Sequence, residues 1–328
     1  PLSVRVARYG DAIWYDLGDW RAVKITPHEW TVTASPILFR RFPQQTPQVE
    51  PTYGGDIKTF LNFVPLKGTD NEILFLTYLV AALVPGIPQP PIIFHGQQGS
   101  AKSFTFRLIK ALLDPAQPYC SSPPSNIADL VQYASKHYVA FLDNMSHLPD
   151  WLSDALCRLC TGDGFSKRQL YTDDDDIVYS LRRVTGINGR NLVVTQADLL
   201  DRALLFHFEP IPVGDRKREA ELVAAFEKTK AAMLGGIFSL LTDAMRTEGT
   251  LSDIGYPRMA DYYHWALAVA LAMGYTQAAF EQAFRLNVEA QNSEAVESSA
   301  VAQAVLRLMA HESPWEGSPS ELLEKLNN

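Results

Sequence analysis

The stretch Pro91-Ile92-Ile93-Phe94-His95-Gly96-Gln97-Gln98-Gly99-Ser100-Ala101-Lys102-Ser103 decides how this chain reads. Residues 92–95 form a short apolar run of the kind that makes a buried strand. Residues 104–113 have the apolar spacing of an amphipathic helix, stopped by Asp114-Pro115. Strand, glycine-bearing loop, Lys-Ser and helix together are the context of a phosphate-binding loop. Small residues let the backbone wrap a phosphate with its N–H groups inward, and the helix start adds the positive end of a dipole. Gly96, Gln97, Gln98, Gly99, Ser100, Ala101, Lys102 and Ser103 are therefore the expected cradle for ATP with Mg2+. Lys102 is expected at the β- and γ-phosphates, and the Ser103 hydroxyl on the magnesium. Ala101 stands where a glycine usually precedes the lysine; alanine tolerates helical angles, so the change reads as mild.

Working outward, the next strand of interest is His137-Tyr138-Val139-Ala140-Phe141-Leu142-Asp143-Asn144, with the strand itself placed at 138–142. An apolar strand ending in Asp delivers one carboxylate beside a loop-bound magnesium. Asp143 follows Lys102 by 41 residues, room for a helix, a strand and another helix. Asn144 occupies the place where many ATPases carry a glutamate base. Asparagine orients water but cannot take its proton, so either hydrolysis is slow or another carboxylate serves. Residues 184–187 are a third strand, ending at Asn188, where a polar amide would sense the γ-phosphate or position water. Arg202 lies fourteen residues further on. It reads either as a finger reaching a neighbouring subunit's γ-phosphate or as a surface arginine paired with Asp201 or Asp198.

The rest of the chain frames this core. Strands are expected at 12–17, 22–25 and 204–208, and an apolar helix at 70–83. From about residue 216 onward nearly everything has helical periodicity. A hydrophobic content of 47% over 328 residues supports roughly two domains. No run of about 18 apolar residues is present, so no membrane helix is expected. The start, Pro1-Leu2-Ser3, is no signal peptide and lacks an initiator Met, and the chain reads as part of something longer. Three cysteines argue for a reducing cytoplasm; Cys157 and Cys160 read as buried helix residues rather than a metal pair. Lys plus Arg is 29 and Asp plus Glu 37, a net charge of −8. That excludes a carpet of non-specific DNA contacts but not a local basic track. Arg216-Lys217-Arg218 reads as a solvated helix start.

The motifs Gly96 to Ser103, Leu142-Asp143-Asn144-Met145-Ser146, Leu159-Cys160-Thr161-Gly162-Asp163-Gly164, Ile187-Asn188-Gly189 and Asp198-Leu199-Leu200-Asp201-Arg202, in this order, resemble the AAA+ ATPases. Among those, the chain is similar to superfamily 3 helicases and to the helicase part of phage and mobile-element primase–helicase proteins. The resemblance implies an α/β fold: a P-loop AAA+-like core with a mostly parallel sheet, a small β-containing N-terminal segment and a helical C-terminal region. The matching divisions are 1–68, 69–214, 215–312 and 313–328, the last as the start of a winged-helix domain or an ordinary final helix. A capping box, Ser318 with Glu321, opens that helix.

The resemblance also implies a pore-lining hairpin within residues 162–181. Lys167 and Arg168 then either touch DNA or sit on a solvated hairpin; Arg182 and Arg183 follow it as further candidate DNA contacts. Asp173-Asp174-Asp175-Asp176 is a poor DNA surface. Arg258 is similar to a lid arginine that touches phosphate in cis, or is a plain helix-start arginine. The expectation is an ATP-driven translocase acting on DNA, with single-stranded DNA and a homo-oligomeric ring, a hexamer, as partners. A nucleotide switch or loader acting on a protein partner is the alternative. A small-molecule kinase is a third reading, for which no acceptor motif exists.

Overall fold

The structure, a computed structural model, describes residues 2–168, 176–189, 196–252, 257–297, 300–311 and 314–327. Four strands open the chain: β1 (Val6–Tyr9), β2 (Ala12–Asp16), β3 (Arg21–Ile25) and β4 (Trp30–Ala34). They pair in sequence order as an antiparallel meander. The chain then passes through a 3-10 turn at Ile57–Phe63 into helix α1 (Thr69–Ala81). Residues 73 to 81 of α1 are all buried, as expected of a helix apolar on every side. Asp70 and Glu72 in its first turn favour the dipole.

Strand β5 (Ile92–His95) follows, then helices α2 (Lys102–Leu113) and α3 (Ile127–Lys136), strand β6 (Val139–Met145) and helix α4 (Asp150–Thr161). An antiparallel hairpin, β7 (Gly164–Arg168) and β8 (Asp176–Ser180), precedes β9 (Val184–Gly189). Helix α5 (Ala197–Leu200) leads into β10 (Leu204–His207). Helices α6 (Glu219–Glu248), α7 (Ala260–Ala272), α8 (Gln277–Glu297), α9 (Ala300–His311) and α10 (Pro319–Asn327) complete the described chain. None of the helices is long and apolar enough to cross a membrane, among the described residues. Ser318 and Glu321 cap α10 reciprocally, as the sequence pattern requires.

The central sheet has the order β10-β5-β9-β6, and all its pairs are parallel. Parallel sheets are covered on both faces, and β5 shows how. Ile92 and Phe94 point into the larger core, where Phe94 stacks on Phe106 of α2 at 4.5 Å between ring centres. Ile93 points the other way, into a second core with Leu142, Leu156, Ile187 and Leu205. Cys157 and Cys160 of α4 are both buried, and burial pushes their thiols up, to about 11 and about 12.

The N-terminal sheet is joined to the larger core rather than set apart from it. Trp30 stacks on Tyr53 at 3.9 Å and donates its indole N–H to Ser239 of α6. Strand β2 and the connector after β4 also close the carboxyl end of α2. Tyr15 Oη donates to the Leu113 carbonyl at 3.1 Å, and Gln48 Nε2 to the Leu112 carbonyl at 2.8 Å. These carbonyls lie in the last turn, where no intrahelical donor exists.

Candidate functional site

Residues 96–101 connect the end of β5 to the start of α2, at the carboxyl end of the parallel strands. Gly96 has φ +130°, and a methyl placed on it would lie 2.1 Å from the Phe208 carbonyl oxygen. The loop starts that close to the end of β10, so only glycine fits. Gly96→Ala is expected to lower the unfolding free energy by roughly 1–3 kcal/mol, seen as a lower midpoint of urea unfolding. An unchanged midpoint would show that the loop leaves β5 by another path.

Ala101 caps α2 with φ 60° and ψ 19°, the left-handed region. The sequence reading of this position as mild is therefore corrected: the backbone needs a conformation that costs an L-residue roughly 1–2 kcal/mol. Ser100, buried, donates its hydroxyl to the Gln97 carbonyl at 2.8 Å. Lys102 folds back into its own loop. Its ammonium donates to the carbonyls of Gly96 (2.6 Å) and Gln97 (2.8 Å) and to Ser100 Oγ (3.0 Å). Burial lowers its pKa, with Asp143 opposing. His95, just before the loop, is pushed down to about 4 by burial, then by His207 and Lys102, and is neutral at pH 7.

Three neighbouring strands converge on the first turn of α2. Ser103 Oγ donates to Asp143 Oδ1 at 2.7 Å. Asn188, 2% exposed, accepts from the Asn144 backbone N–H at 2.7 Å and approaches Ser103 Oγ through its Nδ2 at 3.4 Å. The β6–β9 register slips between Leu142 and Met145, and Asn144 sits there with φ 60°. Such an irregularity re-aims side chains, here those of Asp143 and Asn144. Strand β6 also runs beyond the predicted 138–142, because Ser121 pairs beside Leu142 and Gly189 beside Met145.

Two clefts flank the loop. One of about 170 Å³ is lined by residues 98–104 with Asn144, Asn188 and Gly189. The other, about 560 Å³, lies between Phe63, Pro65, Phe104, Ile211, Arg216 and Leu222. Gly99, Ala101 and Phe104 belong to both. The Ser103 hydroxyl and Asp143 carboxylate form an adjacent pair of hard oxygen donors. That suits magnesium, which takes few protein ligands and completes its shell with water and phosphate. Among the described residues, no cluster of three or more His, Cys, Asp or Glu would make a cage from protein alone.

Lys102, Ser103, Asp143, Asn144 and Asn188 thus meet in one place; the remaining candidates lie elsewhere. Arg202 pairs with Asp198 at 3.1 Å, and Arg258 with Asp198 and Asp201. Asp198, Asp201 and Arg202 precede the start of β10, at the end of the sheet opposite the 96–103 loop, and Arg258 is held there by its two ion pairs. The cis phosphate contact expected of Arg258 is therefore not what its surroundings provide. Arg182 and Arg183, expected as DNA contacts, have donors turned to main-chain carbonyls. Arg182 donates to the Thr161 carbonyl at 2.7 and 2.9 Å and to that of Gly86. Arg183 donates to the carbonyls of Ala134 (2.7 Å) and Arg182 (2.8 Å), and burial lowers its pKa to about 10. Their donors hold the base of the hairpin together. Lys167 and Arg168 end β7; Asp173, Asp174 and Asp175 lie outside the described residues.

Sequence reasoning missed the larger cleft and Arg216. Only a basic cluster after the last strand hinted at the latter. Its placement comes from Ile211, whose N–H bonds the Gly99 carbonyl at 3.2 Å and pins residues 209–217 against the loop.

No curated protein matches the chain. Two solved structures, both described as apo forms of the NrS-1 C-terminal region, are similar at 12% and 14% identity with TM-scores of 0.44. The alignments cover 66% and 61% of this chain, and 64% and 49% of those chains, so it spans less than two thirds of their length. A family model described as an actinomycete integrative conjugative element replication protein matches residues 57–291. That match takes in the loop, Asp143, Asn188 and both clefts, well over half of the sequence, and the chain belongs to this family of mobile-element replication proteins.

Proposed function

We propose that this replication protein is a magnesium-dependent P-loop ATPase of the AAA+, superfamily 3 helicase kind, which uses ATP turnover to move on DNA. The observation that carries the reading is the convergence of Lys102, Ser103, Asp143 and Asn188 at the carboxyl ends of β5, β6 and β9. In open parallel sheets ligands bind at that edge, where the chain leaves a strand in opposite directions. Here β5 is flanked by β9 on one side and β10 on the other.

The triphosphate would lie along the loop, with the base in the larger cleft between Phe63, Pro65 and Leu222. Lys102 would exchange the loop carbonyls for phosphate oxygens, a better match for an ammonium. Ser103 and Asp143 would hold magnesium, which supplies charge neutralisation on the phosphates. Asn188 and Asn144 would orient the attacking water. Neither accepts its proton, so turnover is expected to be slow. Arg202 lies away from its own loop, and serves only if it completes a neighbouring subunit's site in a ring. Joining that site means releasing Asp198.

The test is phosphate release with and without single-stranded DNA, together with the size of the particle in the presence of ATP. DNA-stimulated hydrolysis and a ring support the reading; absence of both removes it. A second reading, a nucleotide switch acting on a protein partner, is favoured by the net charge of −8 and by the committed donors of Arg182 and Arg183. Hydrolysis indifferent to DNA, with no salt-dependent DNA binding, would select it.

A further inference from the structure

We infer that Arg216, rather than Arg258, is the arginine that binds the nucleotide polyphosphate in cis; the inference rests on the nucleotide reading above. Three observations carry it. A methyl placed on Gly99 would lie 3.3 Å from Arg216 Nη2, so this guanidinium stands beside the loop that would cradle the phosphates. The guanidinium also lines the larger cleft at the point where that cleft shares Gly99 and Ala101 with the smaller one.

Of the cations near the site, Lys217 also lines the larger cleft, but Arg216 is the one that a methyl on Gly99 would meet. Arg107 is paired with Glu219 and Lys67 with Glu209. Arg258 and Arg202 are paired with Asp198 at the far end of the strands. Arg216 donates Nε to the Ile211 carbonyl at 3.2 Å, and among the described residues no ion pair holds it. A planar fork fixed through Nε leaves its two terminal nitrogens to meet an anion together.

The position also has a structural reason. Ile211 is bonded to the Gly99 carbonyl, and Pro210 and Pro212 stiffen the turn on either side. The turn from β10 to α6 thus carries Arg216 over the loop with little freedom to move. Arg216 itself is exposed, so replacing it does not open the core.

The test is calorimetric titration of the full chain with ATP, ADP and AMP in magnesium, for wild type, Arg216→Ala, Arg216→Lys and Arg246→Ala. Arg246, exposed in the last turn of α6 and paired with Asp243, controls for loss of one positive charge. Arg216→Ala is expected to weaken ATP and ADP about tenfold or more, and AMP much less, because the lost bonds are charge-assisted ones to phosphate. Arg216→Lys should recover part of the loss, and Arg246→Ala none of the effect. Wild type binding ATP while Arg216→Ala binds it equally well, or is weakened equally for all three nucleotides, overturns the inference alone. Wild type binding none of the three overturns the nucleotide reading, and this inference with it.

Discussion

Lys102→Ala is expected to give a folded protein whose ATP hydrolysis falls by about a hundredfold or more, the usual effect of removing one preorganised charge from a transition state. The lysine is the only cation inside the loop, and all three of its donors already point at loop oxygens. An incoming triphosphate replaces those acceptors with charged ones at the same place. Arginine is no substitute: its planar fork cannot occupy a ring sized for a point charge. The measurement is steady-state phosphate release at saturating ATP, beside a thermal melt that checks folding. Turnover near the wild-type rate would remove Lys102, and with it the proposed chemistry of the loop. Because burial lowers the lysine's pKa, ATP affinity should begin to fall with rising pH earlier than an ordinary lysine would allow.

The elements that position this lysine were legible because their signals are local. Strand β5 lies at 92–95 as its apolar run predicts, and β9 starts at Val184. Glycine, lysine and serine spacing is a pattern read within a dozen residues. The misses share a different property. Strands β1 and β4 carry little apolar alternation at their exposed ends, so only their pairing with β2 and β3 defines them. Ala101 looked benign because no residue name shows a left-handed backbone. Arg182 and Arg183 were read by the sign of their charge, and Arg258 by its resemblance to a lid arginine or as a helix start. What decides their work is which oxygen lies across from them: the carbonyls of Thr161, Ala134 and Gly86, 21 to 96 residues away, and the Asp198 carboxylate, 60 residues away. Arg216 was passed over for the same reason, since its nearness to Gly99 depends on how a turn folds back over the loop.

The second large effect falls on stability. Asp114 is fully buried and lies at the end of α2 opposite Lys102. Its carboxylate accepts from Arg5 Nε (3.0 Å), Lys110 Nζ (2.6 Å) and the backbone N–H groups of Tyr138 (2.8 Å) and Val139 (3.0 Å). Arg5 is 1% exposed and Lys110 fully buried, and among the described residues Asp114 is the ion-pair partner of both. Asp114→Ala leaves two buried cations uncompensated, and is expected to cost about 3–5 kcal/mol in urea unfolding.

The pH dependence has a definite sign. Burial alone would raise the Asp114 pKa, but Lys110 and Arg5 outweigh it and hold the carboxyl well below the ordinary carboxylate range. A group depressed in the folded state contributes fully above its unfolded pKa of about 4, and the contribution drains away as pH falls below that. Wild-type stability should therefore drop steeply in acid, and Asp114→Asn, less stable at pH 7, should show a shallower decline over the same range. The consequence reaches the site. Tyr138 and Val139 open β6, the strand that ends in Asp143, while α2 begins with Lys102 and Ser103. Asp114 thus ties the far ends of the two elements whose near ends must keep Ser103 Oγ within 2.7 Å of Asp143. Where Asp114→Asn remains folded, Mg-dependent ATP affinity should fall with stability; unchanged stability across pH 3–7 would show that Arg5 and Lys110 find another counter-ion.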